Sequence, residues 1–296
     1  MTLLPIVRRE LRVRAGQAGF RWLRVALAGF AVLVCLQWFN FSLTSFPGAG
    51  VGRQTFTLLA RLAFVLVLGG VLLTADGISG ERREGTLGLL FLSTLKSREI
   101  VYGKLAVSGL TALYALLGFL PVLLLPLLAG GLTGGEVFRT ALALLNLLFV
   151  ALATGLVVSV FARSQIQAVL GGVFALGLIC LLPGYVGLIA RDLVGWQVGW
   201  LSPITSFFNA DEANYHRSPA SPFWFWCSLA LSHAVGWVLV GAASWALARN
   251  WPRIFEARAL KPPPPQVRGL LGAPRALGSG TASRKRAFAP VARAML

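Results

Sequence analysis

The chain is 296 residues long, 56% hydrophobic and only 12% charged, with a mean hydropathy of +0.75 and a formal net charge of +17. Soluble domains average roughly 45–50% apolar and about 25% charged residues, so an ordinary soluble enzyme is excluded. Several windows reach the ~20 apolar residues that span a bilayer core, which defines an all-α polytopic membrane protein.

The excess of positive charge does not point to nucleic acid as a partner. Lys and Arg cluster beside the apolar runs, the pattern of the cytoplasmic side of a bilayer. Cys35, Cys180 and Cys227 lie far apart in or beside apolar stretches, without CxxC or other ligand spacing, and read as packing residues.

In chain order, residues 3–15, "LLPIVRRELRVRA", come first. Leu3, Val7 and Leu11 recur at helical spacing while Arg8, Arg9 and Arg12 fall elsewhere around the wheel. This predicts an amphipathic helix in the headgroup layer, its guanidinium groups near lipid phosphates. The apolar run that follows is too long for a signal-peptide core and lacks a small-x-small cleavage site, so it reads as a retained span.

Six spans are predicted over 22–46, 56–75, 105–130, 138–162, 166–190 and 223–248. Prolines 121, 126 and 183 fall inside them and are expected to kink their helices. With the N-terminus inside, 22 basic residues lie on the cytoplasmic side and five outside, which places both termini in the cytoplasm. The expected location is a bacterial inner membrane.

The stretch 76–104, "DGISGERREGTLGLLFLSTLKSREIVYGK", is therefore cytoplasmic. It carries nine of the 37 charges, a density out of keeping with the rest of the chain. Ser79 is expected to cap a helix, with Glu81 and Glu84 in its first turns and Leu87, Leu90 and Phe91 forming an apolar stripe. Gly85 and Gly88 would lie within that helix as a flat strip for close approach, each costing ~1 kcal/mol relative to Ala. Lys96 and Glu99 are spaced for an i,i+3 contact as the chain returns to the bilayer. Such a helix cannot bury its stripe alone and calls for a protein partner.

Residues 191–222 form the longest extracytoplasmic segment, with Trp196, Trp200, Phe207 and Phe208 suited to the membrane interface. From residue 249 the chain is basic and Pro-rich ("KPPPPQ", "SRKR"), and a disordered cytoplasmic tail is expected. Its basic residues suit anionic lipid. Inside the spans, Asn146 and His233 read as interhelical hydrogen bonders. His216 lies near Asp211 and Glu212, but the spacing matches no metal site, and no metal is expected. Gly171, Gly172, Gly177, Gly236 and Gly241 point weakly to close helix contacts.

The segment "ADGISGERREGTLGLLFLSTLKSREIVYGKL" resembles the cytoplasmic segment between spans two and three of type-2 ABC transporter permeases. The matching residues are Gly80, Glu81, Arg82, Gly85, Thr86, Leu87, Leu90, Ser93, Thr94, Arg98, Ile100, Gly103 and Lys104. Gly88 and Leu95 depart from it, where an acidic residue and a proline are common. Over the rest of the chain the resemblance is one of topology.

The resemblance implies a coupling helix that docks into a groove of a separate ATPase. Glu81, Arg82, Arg83, Glu84, Gly85, Thr86, Leu87, Leu90 and Phe91 would form the interface, and Lys96, Arg98, Glu99 and Lys104 the return to span three. It further implies two ATPase copies using ATP and Mg, a second permease half as homodimer or heterodimer, and export as the direction. The chain itself has no GxxxxGK[ST] loop, so no catalytic residue and no bound cofactor are expected in it. A membrane scaffold that recruits a partner through 76–104 without moving solute is the alternative. Intramembrane enzymes and ion-coupled carriers are disfavoured, because the predicted spans hold no Asp or Glu in their interiors.

Overall fold

The computed structural model describes residues 18–45, 50–85, 96–189 and 196–259. The predicted interfacial helix 3–15, with Arg8, Arg9 and Arg12, and the tail beyond 259 lie outside the described residues. Contacts divide the chain into Met1–Arg253 and Ile254–Leu296; of the latter, only the end of the last helix is described.

The described residues fold into helices joined by short turns. They are α1 (Ala18–Ser45), α2 (Val51–Leu68), α3 (Gly70–Ala75), α4 (Ser79–Glu84), α5 (Ser97–Leu128), α6 (Gly134–Phe161) and α7 (Gln165–Ile189). A 3-10 turn (Trp196–Leu201) and two short helices, α8 (Pro203–Phe208) and α9 (Glu212–Tyr215), precede the long α10 (Ser221–Ala259). Among the described residues, five helical columns are long and apolar enough to cross a membrane, and α1 adds a shorter apolar stretch, Val25–Phe41. This is the all-α polytopic architecture expected from the composition.

Each predicted span falls on a helix, with differences at the ends. The second span is a column running from Val51 to Glu84, interrupted at Gly69 and again between Ala75 and Ser79. The third begins at Ser97, eight residues before its predicted start, because the Lys96 N–H finds the Glu99 carboxylate at 2.9 Å and opens the helix early. Helical structure runs on through Pro121, Pro126 and Pro183.

At the centre stands α6. Leu144, Leu147, Val150, Ala151, Ala153 and Leu156 are fully enclosed. These positions occur all around the wheel, as in a helix surrounded by others. It belongs to two apolar clusters. One is shared with α1, α2, α5 and α7, and contains Ala31, Leu59, Leu123 and Cys180. The other joins Ile78 to the start of α5 and residues 240–247 of α10, through Val101, Leu156, Val160, Ala243 and Leu247. Leu170, Phe174, Leu181 and Leu188 of α7 turn outward, an apolar surface suited to hydrocarbon.

Gly155 sets the spacing between α3 and α6. A Cβ there would lie 2.2 Å from Thr74 Oγ1 and 2.5 Å from the Val71 carbonyl oxygen, so only glycine permits the approach. Thr74 then donates its hydroxyl to the Leu152 carbonyl at 2.9 Å. The glycines noted in the sequence divide in two. Gly172 and Gly236 pack against Val71 and Phe149, while Gly177 and Gly241 have nothing within 4 Å of a would-be Cβ among the described residues.

Candidate functional site

The charged segment begins where α3 ends. After Ala75 the backbone turns, and α4 opens with amides that its own helix cannot satisfy. Ser79 is not the cap expected from the sequence. The residue before the helix is Ile78, and the N–H groups of Ile78 and Ser79 both donate to Ser159 Oγ, at 2.9 and 3.0 Å. A hydroxyl near the end of α6 thus caps α4 from across the interface, while Ser79 Oγ donates to Asp76.

The glycine strip is also corrected at Gly85. That residue has φ +79° and terminates α4, with Arg82 and Arg83 in the last turn. A left-handed residue after the last turn is the ordinary way for a helix to stop, and glycine adopts it without strain. Gly85 is therefore a terminator and not a notch inside a longer helix. Thr86, Leu87, Gly88, Leu90 and Phe91 lie outside the described residues.

The charged side chains at the root of the segment engage the protein's own framework. Arg82 donates to the carbonyls of Val160 and Ala162 at the end of α6, where the helix leaves acceptors unpaired. Arg83 forms a two-pronged pair with Asp76 at 2.7 and 2.8 Å, half-exposed. Glu81 meets Lys104 of α5 at 2.5 Å, with both side chains largely shielded. Glu84 and Arg98 are exposed. In place of the i,i+3 side-chain contact expected between Lys96 and Glu99, the Glu99 carboxylate accepts from the Lys96 backbone N–H. Sequence reasoning missed Asp76, Ser159, Thr74 and Gly155 as parts of this root. Only Asp76 had a signal, its spacing of three and seven from Ser79 and Arg83.

At the opposite end of α6 lies a second group of charges. Thr133 caps the helix, accepting from the Glu136 N–H at 3.1 Å, and its hydroxyl donates to Glu212 Oε2 at 2.9 Å. Arg139 pairs with Glu212, donates to the Ala210 carbonyl at 3.2 Å, and lies 3.8 Å over the Tyr215 ring. Arg53, at the start of α2, reaches Asp211 at 2.9 Å and Glu136 at 3.6 Å. Glu136 is enclosed, with 2% of its side chain exposed. His216 Nε2 lies 3.2 Å from Glu212 Oε1. The Glu212 carboxyl is pushed up by desolvation, but the Thr133 hydroxyl and the Arg139 guanidinium outweigh this and hold it below the usual carboxylate range. The carboxylates beside His216 are thus committed to Arg53 and Arg139, and short helices α8 and α9 are tied to α2 and α6.

Between these ends, the polar residues noted in the spans meet one another. Trp237 Nε1–H donates to His233 Nε2 at 3.1 Å, which leaves the imidazole proton on Nδ1, facing Asn146 Oδ1 at 3.1 Å. Asn146 donates onward to Ser232 Oγ at 2.7 Å, and Ser232 to the Ser228 carbonyl, also at 2.7 Å. The chain of bonds joins α6 to α10. Among the described residues, no group of three or more His, Cys, Asp and Glu is arranged to hold a metal.

Fold and site together define a multi-pass membrane protein whose charged inter-span segment is rooted on its central helix. Residues 16–247 match the family model described as ABC-2 family transporter protein, and the chain belongs to that family. It is accordingly a membrane permease of an ABC transporter, a class that works with a partner ATPase subunit. No curated protein matches the chain.

Proposed function

We propose that this chain forms the translocation path of an ATP-driven exporter and that its 76–104 segment docks on the ATPase. The observation that carries the reading is the root of that segment. Ser159, Arg82 and the Thr74–Leu152 contact join α3 and α4 to one end of α6. A displacement applied to the segment then moves α6 and not a free loop. At about 1.5 Å per residue, the 28 residues of α6 make a strut of about 42 Å. Its other end carries Glu136 and Arg139, which hold the 203–216 region.

On this reading the segment is cytoplasmic, both termini are inside, and the membrane is the bacterial inner membrane. Two ATPase copies bind ATP and Mg, and a second permease half, identical or similar, completes the path. Closure of the ATPases displaces the two segments, and each α6 carries the motion to the extracytoplasmic end, exchanging inward for outward access. Glu84, Thr86, Leu87, Leu90 and Phe91 contact the ATPase, while Glu81, Arg82 and Arg83 hold the segment to the permease. The chain itself performs no catalysis and binds no cofactor. The apolar spans suit a lipid-like or amphipathic cargo.

The test is the double variant Leu87→Asp/Leu90→Asp in the assembled complex. It should insert normally and lose both ATPase co-purification and transport. Unchanged transport refutes docking, and retained ATPase binding without any transport in the unmodified complex indicates a scaffold.

A further inference from the structure

The Ser97 end of α5 and residues 241–248 of α10 flank an open cavity of about 690 Å³, lined by Lys96, Ser97, Arg98, Gly241, Ser244 and Trp245. Three features of its walls bear on what it holds. The first is charge. Lys96, Arg98 and Arg249 are exposed, and among the described residues none of them is in an ion pair. The Glu99 carboxylate of the same turn accepts from the Lys96 backbone N–H. Arg249 stacks over the Trp245 ring, 5.3 Å from its centroid, which keeps the guanidinium beside the cavity.

The second is depth. Trp245 lies 24 residues into α10, about 36 Å along its axis. With Ser221 at the opposite bilayer surface, that exceeds the ~30 Å hydrocarbon thickness and puts Trp245 and Arg249 at headgroup level on the side of the 76–104 segment. The third is shape. Val238, Gly241 and Trp245 share one face of α10, and Val238 and Trp245 are 70% and 63% exposed. Among the described residues, Gly241 between them has nothing within 4 Å of a would-be Cβ. The face is open over Gly241 and forms part of the cavity wall, a shallow slot beside the basic cluster.

We propose that this cavity binds an acidic phospholipid of the leaflet on that side. Lys96, Arg98 and Arg249 hold the phosphate headgroup, Trp245 sits at the glycerol level, and an acyl chain lies in the slot over Gly241. Basic pockets between transmembrane helices select anionic headgroups through such an arrangement. A neutral lipid lacks the countercharge, and a soluble phosphate lacks the chain that fills the slot. The proposal rests on the chain being membrane-embedded and is independent of ATPase docking.

The experiment uses the full chain purified in non-ionic detergent and mixed with equal amounts of phosphatidylglycerol and phosphatidylcholine of the same acyl chains. Retained lipid is read by native mass spectrometry. Phosphatidylglycerol should be retained in preference, by on the order of a hundredfold, given about one charge contact for each of the three cations. Excess inorganic phosphate should leave it bound. Lys96→Gln/Arg98→Gln/Arg249→Gln should abolish the preference. Gly241→Leu, which fills open space and leaves all three charges, should lower retention at least severalfold while preserving elution and melting behaviour. Equal retention of the two lipids, displacement by inorganic phosphate, a preference kept in the triple variant, or undiminished retention in Gly241→Leu overturns the proposal. Loss of ATPase binding in separate assays has no effect on any of these readings.

Discussion

Replacing Gly155 by Ala tests the contact on which the account of α6 depends. The added methyl would meet Thr74 Oγ1 at 2.2 Å, the Val71 carbonyl oxygen at 2.5 Å and the Ala75 nitrogen at 3.1 Å. Ordinary contact needs roughly 3.5 Å, so α3 and α6 must separate by about 1 Å. Two of the three opposing atoms are backbone, and a rotamer change cannot relieve them. Overpacking of this kind costs about 1–3 kcal/mol. The Thr74–Leu152 hydrogen bond is stretched or lost as well, adding roughly 0.5–1 kcal/mol. Less the gain of up to about 1 kcal/mol from removing a glycine inside a helix, Gly155→Ala should still destabilise the chain by about 1–3 kcal/mol. Gly177→Ala is the matched control. It has nothing within 4 Å, and removing a glycine from a helix interior gains up to about 1 kcal/mol. Thermal melts of the purified chain in detergent, followed by tryptophan fluorescence, should show shifts of opposite sign. Melting of Gly155→Ala at or above the unmodified chain would refute the close-packed interface and the strut with it.

At the other end of α6, the Glu212 carboxyl lies below its ordinary value, so its pairing with Arg139 stabilises the protein above an unfolded pKa of about 4.3 and is lost as pH falls through the folded value. Melts recorded from pH 7 to pH 3 should show an acid-sensitive component in the unmodified chain that Glu212→Gln removes; parallel curves would contradict the pairing. In the spans, Asn146→Leu leaves the His233 Nδ1–H and the enclosed Ser232 hydroxyl without their partner and should cost about 1–2 kcal/mol, whereas an unchanged melting temperature would show that the polar chain contributes nothing.

The spans and the charged segment were legible because each is a property of contiguous sequence. Long apolar runs mark bilayer crossings, and nine charges in 29 residues stand out against them. The root of the segment was not legible, since Ser159 caps α4 from a position 80 residues along the chain. Gly85 was legible in part. Two arginines, then Glu84 and a glycine, make a helix C-terminal pattern, but the neighbouring Gly88 suggested a strip within one helix. Arg53 and Arg139 entered the sequence argument only as basic residues on the sparser side of the membrane. The fold pairs them with Asp211 and Glu212, which come together only when α2, α6 and α9 converge. Asn146 and His233 were singled out as polar groups in apolar runs, though not as partners of each other.

The most direct test of the docking claim places a photo-crosslinking amino acid at Leu87 in the complex assembled with its ATPase, and the same group at Phe208 beside the opposite end of α6. The account predicts a covalent adduct to the ATPase from position 87 and none from position 208. An ATPase adduct from position 208, or none from position 87 in a complex that transports, would contradict it.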